Sequence, residues 1–131
     1  MQYPDARIEV KDLGTIDGFS IIGSLEYDHG STPYDADCYS EEDIDAWKTD
    51  EWCYVGLLVT ASIDGIELGT DSIWGNEYGF FIDHSKTDGS TIFISPYDDG
   101  GYLPDLIDGA IHDARSNLER MVTLAASIGV G

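Results

Sequence analysis

From Pro104 to about Ile128 apolar residues return every three or four positions: Leu106, Ile107, Ala110, Ile111, Ala114, Leu118, Met121, Val122 and Ala125. That spacing predicts one amphipathic helix with a single apolar stripe. Pro104 suits its first turn, Asp105 and Asp108 meet the positive end of the helix dipole, and Gly129 can end it. Between residues 53 and 74 the period changes to two. Asp64-Gly65 joins two runs of alternating character, the strongest short hairpin signal. A tight turn there predicts Ile63 opposite Ile66, Ala61 opposite Leu68 and Val59 opposite Thr70. Cys53, Val55, Leu57, Val59, Ala61 and Ile63 then share one face, the expected bed for the helix. The other face, with Trp52, Tyr54, Leu58, Thr60, Glu67, Asp71 and Ile73, reads as mixed and half-wet.

Further strands are expected at 8–10, 19–27, 80–83 and 91–95, the second from Phe19, Ile21, Leu25 and Tyr27 alternating with Ser20, Ser24 and Glu26. Ser40 followed by Asp43 gives a capping-box start for a brief helix from Glu41 to Trp47. Residues 98–105 read as a turn into the long helix. Short strands followed by one long helix predict a single α+β domain over residues 1–131: an antiparallel sheet around the 53–74 hairpin, with the helix on one face.

Composition changes this picture through charge. The chain has 131 residues, 26 acids against six Lys and Arg, and a formal net charge of −20. Such a balance disfavours direct contact with nucleic acid or an anionic membrane and favours a basic partner. Cys38 and Cys53 lack CxxC spacing, which reads as two ordinary thiols in a reducing compartment. No basic, then apolar, leader opens the chain, and a cytoplasmic protein is expected.

The acids are unevenly placed. Residues 35–51 hold Asp35, Asp37, Glu41, Glu42, Asp43, Asp45, Asp50 and Glu51 with Lys48 as the only cation, and Glu26 and Asp28 extend the run. Like charges at this density oppose folding unless something outside the chain compensates. Calcium is one candidate. On the EF-hand template Asp35, Asp37, Glu41 and Asp43 fall on ligand positions, but Ser40 and Ala46 stand where the loop needs Gly and a bidentate Glu. This leaves a low-affinity calcium-binding module as a further alternative, with no defined ligand set and no cofactor implied. Nor does an enzyme emerge. His29, His84 and His112 are scattered, no Ser or Cys sits in a nucleophile elbow, and no Gly-rich phosphate loop follows a strand.

The remaining readings are a protein that imitates DNA and one whose charge serves solubility or high-salt adaptation. Acids gathered in one run favour the mimic, whose carboxylates would occupy a Lys/Arg groove built for phosphates. Tyr39 and Trp47, with Tyr34, Trp52 and Tyr54, lie among the acids, either as anchors for a partner or as the packing that holds the short helix.

The stretch "WCYVGLLVTASIDGIELGTDSIWGNEYG" (52–79) resembles a segment of small acidic proteins from phages of high-GC Gram-positive bacteria. The resemblance covers about a fifth of the chain and implies a phage origin. It also implies kinship of type with anti-CRISPR and anti-restriction inhibitors, many of which imitate DNA. The expected partner is then a basic nucleic-acid-binding host protein, a nuclease or CRISPR effector. A non-inhibitory phage accessory or structural protein is the alternative.

Overall fold

The computed structural model describes residues 7–98 and 101–129. Five strands, β1 (Arg7–Ile16), β2 (Phe19–Tyr27), β3 (Trp52–Ile63), β4 (Ile66–Ile82) and β5 (Thr91–Ile94), form one sheet in chain order. Every neighbouring pair is antiparallel. Helix α1 (Glu41–Lys48) lies in the connection between β2 and β3, and α2 (Leu103–Ser127) follows β5. The fold is α+β with a long C-terminal helix on the sheet, as the two periodicities predict. Residues 99–100, within the expected turn at 98–105, lie outside the described residues.

The hairpin departs from the simple register. Ile63 pairs with Ile66, and Ser62 with Glu67. Ala61 then pairs with Gly69, Thr60 with Thr70 and Val59 with Asp71, so Leu68 is an extra residue. A bulge lets Leu68 bury its side chain, but it takes backbone groups out of the ladder. Helix α2 supplies their partners: Thr70 N–H donates to Asp113 at 3.0 Å, and the Leu68 carbonyl accepts from Asn117. A second irregularity sets Trp74 and Gly75 opposite Gly56, with the indole of Trp74 resting where a Cβ on Gly56 would be. Through this bulge β4 runs on to Ile82, so the strand expected at 80–83 is the far end of the hairpin. The strand expected at 8–10 is likewise part of a longer one.

The sheet carries one core on each face. On the first, Phe19, Ile21 and Leu25 of β2 meet Val55, Leu57, Val59 and Ala61 of β3. Leu106, Ala110, Ile111 and Ala114 of α2 close over them. Each fully buried Leu, Ile or Val here contributes about 1.5–3 kcal/mol. Gly69 allows the close approach of α2, since a Cβ there would fall 2.8 Å from the Ala114 Cα. Cys53 and Ile63, at the ends of the expected bed, are half-buried and exposed.

The opposite face is not half-wet at its β3 start. Trp52 and Tyr54 are buried with Phe81 and Ala46, and Tyr39, Trp47 and Ile94 pack around them. Helix α1 excludes water there, a contribution that strand alternation alone does not reveal.

Candidate functional site

The acidic run begins in a 3-10 turn (Pro33–Asp35) and continues through α1 to the start of β3. Its helix forms where the capping box predicts. Ser40 accepts from the Asp43 N–H and Asp43 accepts from the Ser40 N–H, while Glu41, Glu42 and Asp43 occupy the first turn, favoured by the helix dipole. The helix is fastened by Trp52, whose indole N–H donates to the Asp43 carbonyl at 2.8 Å. Tyr39 stacks on Trp52, accepts from the Tyr54 hydroxyl and donates to Glu77. Burial, followed by the hydrogen bond to Glu77, pushes the Tyr39 hydroxyl far above the usual tyrosine range.

The carboxylates divide into two sets. Asp35, Asp37, Glu41, Glu42, Asp45, Asp50 and Glu51 are exposed. Lys48, the one cation among them, is drawn to the ring of Tyr34, 6.0 Å from its centroid. Among the described side chains, the only Lys or Arg within 4 Å of a carboxylate is Arg115, 3.0 Å from Asp17. The exposed run therefore stands largely unneutralised.

Asp43, Asp28 and Glu26 differ. Asp43 is only 6% exposed and faces His84, whose Nε2 lies 3.2 Å from one carboxylate oxygen, so it organises the helix and is not presented outward. Asp28 binds the Gly30 N–H, the Gly75 N–H and the Ser31 hydroxyl. Burial alone would raise its pKa, but those hydrogen bonds outweigh it and hold the carboxyl below its usual range. Glu26 is half-buried and pairs with Gly56, on the same face of the sheet as Trp52 and Tyr54. Tyr39 and Trp47 are half-buried packing residues, Trp47 lying edge-on to the exposed Tyr34 at 5.7 Å.

Besides Tyr34, exposed aromatic surface comes from residues that sequence reasoning passed over. Phe80 and Phe93 are exposed and touch edge to face, with centroids 5.2 Å apart. With Tyr27, Cys53 and Tyr78 they line an open groove of about 1040 Å³, and Asp28, Asp50 and Glu51 line it too. Burial, then the nearby Asp50 charge, raises the Cys53 thiol pKa and keeps it protonated. One signal was available. Phe80 and Phe81 are adjacent in a strand, so one of them must leave the face that buries the other. A second pocket sets Glu42, Asp45 and Glu51 beside Phe80 and Ile82. Acids and aromatics thus adjoin at one end of the sheet.

Among the described residues no three His, Cys, Asp or Glu side chains converge as a metal site. No helix among them is long and apolar enough to cross a membrane. Compared with protein families, with curated proteins and with solved structures, the chain has no match.

Proposed function

We propose that this chain is a phage-encoded DNA mimic acting in the host cytoplasm as a stoichiometric inhibitor. Its target is a basic, nucleic-acid-binding defence protein, a CRISPR effector or restriction complex, whose DNA channel it occupies. The observation that carries the reading is the run of seven exposed carboxylates from Asp35 to Glu51, with Lys48 as its only cation. In a groove lined by Lys and Arg such a surface takes the place of phosphates and is drawn in by the same long-range field. Phe80 and Phe93, beside Glu51, supply apolar contact that a row of charges lacks.

The test is capture from lysate of a high-GC Gram-positive host on the immobilised protein, with elution by duplex DNA. Recovery of a nuclease or effector complex in the DNA eluate supports the mimic, provided that the Glu41→Lys/Glu42→Lys/Asp45→Lys variant fails to capture it. A bound protein that ignores both DNA and the charge reversal overturns the reading and leaves the charge as a solubility feature.

A further inference from the structure

The apolar stripe of α2 outlasts the sheet it covers. Leu106, Ala110, Ile111 and Ala114 are buried, and Leu118 is half-buried. At 100° per residue Met121, Leu124, Ala125 and Ile128 continue the same stripe, yet every described residue from Glu119 onward is exposed. Met121 is 52%, Leu124 63% and Ile128 66% exposed. Three turns of amphipathic helix with no packing partner among the described residues are marginal in water.

Charge identifies the occupant. Residues 114–129 contain Arg115, Arg120 and Glu119, a sum of +1, which leaves −21 for the rest of a −20 chain. This is a segment where two copies can meet without confronting their acids. The acidic helix α1 packs on the other face of the sheet, with Trp52 and Phe81. Glu119 lies on the side of α2 away from the stripe, whereas Arg120 flanks it. In an antiparallel pair with Leu118 opposite Ile128 of the second copy, Arg120 comes beside the last turn of the opposing helix. The carbonyls there carry the negative end of the dipole.

We propose that residues 118–128 of α2 dock on the same segment of a second copy, antiparallel, so that a dimer carries two acidic faces pointing away from each other. About 16 Å of paired helix buries less than the roughly 800 Å² per partner of a standard interface, so the dimer is a weak, concentration-dependent one. Repulsion between two strongly negative bodies is screened by salt, so dimerisation strengthens as ionic strength rises. Capture of a basic partner weakens under the same change.

Sedimentation equilibrium of the full chain from about 5 to 300 μM, at 0.15 and 0.5 M NaCl, tests the proposal. The expected result is a monomer–dimer equilibrium shifted toward dimer at high salt. Leu124→Lys/Ile128→Lys should abolish it without altering the sheet's circular dichroism, since neither side chain touches the core. The Glu41→Lys/Glu42→Lys/Asp45→Lys variant should still dimerise. A chain that stays monomeric throughout, or a dimer indifferent to Leu124→Lys/Ile128→Lys, overturns it.

Discussion

The hydroxyl of Tyr78 on β4 lies 3.3 Å from the carboxylate of Glu9 on β1, although β2 and β3 run between those strands. A flat sheet would hold strands three places apart at about 14 Å. The contact is possible because the sheet curls, and curling makes the groove beside Phe80 and Phe93 concave.

Four tyrosines stand where ionisation is unfavourable, Tyr78 and Tyr97 against the core on the α2 face and Tyr39 and Tyr54 in the cluster beneath α1. Burial is the leading cause for Tyr39, Tyr54, Tyr78 and Tyr97, and the Glu9 charge adds to it at Tyr78 and Tyr97; Tyr97 is pushed up to about 12. A folded pKa above the unfolded one stabilises fully below the unfolded value near 10, and the benefit is lost as pH rises through the folded value. Stability should therefore fall from about pH 10 upward. In a spectroscopic titration, tyrosinate absorbance for these four should appear together with loss of the β-sheet signal. Full ionisation of all tyrosines with the fold intact would contradict this.

Asp43 should behave unlike its acidic neighbours. It caps α1 and meets His84, so Asp43→Ala should cost about 1–3 kcal/mol in urea denaturation. Glu42→Lys and Asp45→Lys, at exposed positions, should leave stability unchanged or raise it by relieving repulsion. Equal losses at all three positions would remove the distinction between capping and surface carboxylates.

Two glycines face different obstacles. A methyl on Gly69 would meet the Ala110 carbonyl and the backbone of Ala114, which cannot yield without lifting α2. Gly69→Ala should cost about 1–3 kcal/mol, the range of an overpacked core. For Gly56→Ala the nearest obstacle is the ring of Trp74, which is 47% exposed and can swing away. Its cost should be smaller, and its signature a change in tryptophan fluorescence.

Salt should stabilise the folded chain. With −20 at neutral pH and few ion pairs to lose among the described residues, screening removes more repulsion than attraction. The melting temperature should rise steadily between about 10 and 500 mM NaCl, across which the Debye length shrinks from about 30 Å to a few ångströms. A fall would mean that attractive pairs dominate.

What the sequence made legible followed from local rules. The stripe of α2, the Asp64-Gly65 turn and the Ser40–Asp43 box each act within a few residues, and each stands where it was read. The bulge at Leu68 was hidden because its compensation lies on α2, in Asp113 and Asn117. Whether Trp52 and Tyr54 pack under the short helix or anchor a partner stayed open in the sequence because α1, which covers that face, lies outside the hairpin. Asp43 looked like one more surface acid because its partner His84 is forty-one residues away. Local patterns identified the acidic segment, and only the tertiary arrangement separated its scaffold carboxylates from its presented ones.

Remove residues 28–51 and the chain is an unbroken up-and-down meander, each strand beside the next. The charged segment is thus a cassette inserted in one crossover, its inner face closing the core around Trp52. It is fastened by the cluster around Trp52, the hydrogen bonds of Asp28, the Phe80 N–H bond to the Glu51 carbonyl, and the Asp43–His84 contact just beyond β4. Outward positions such as Asp35, Asp37, Glu41 and Asp45 can then be changed within one connection without disturbing the sheet. Most members of a library randomised only at those four sites should still fold.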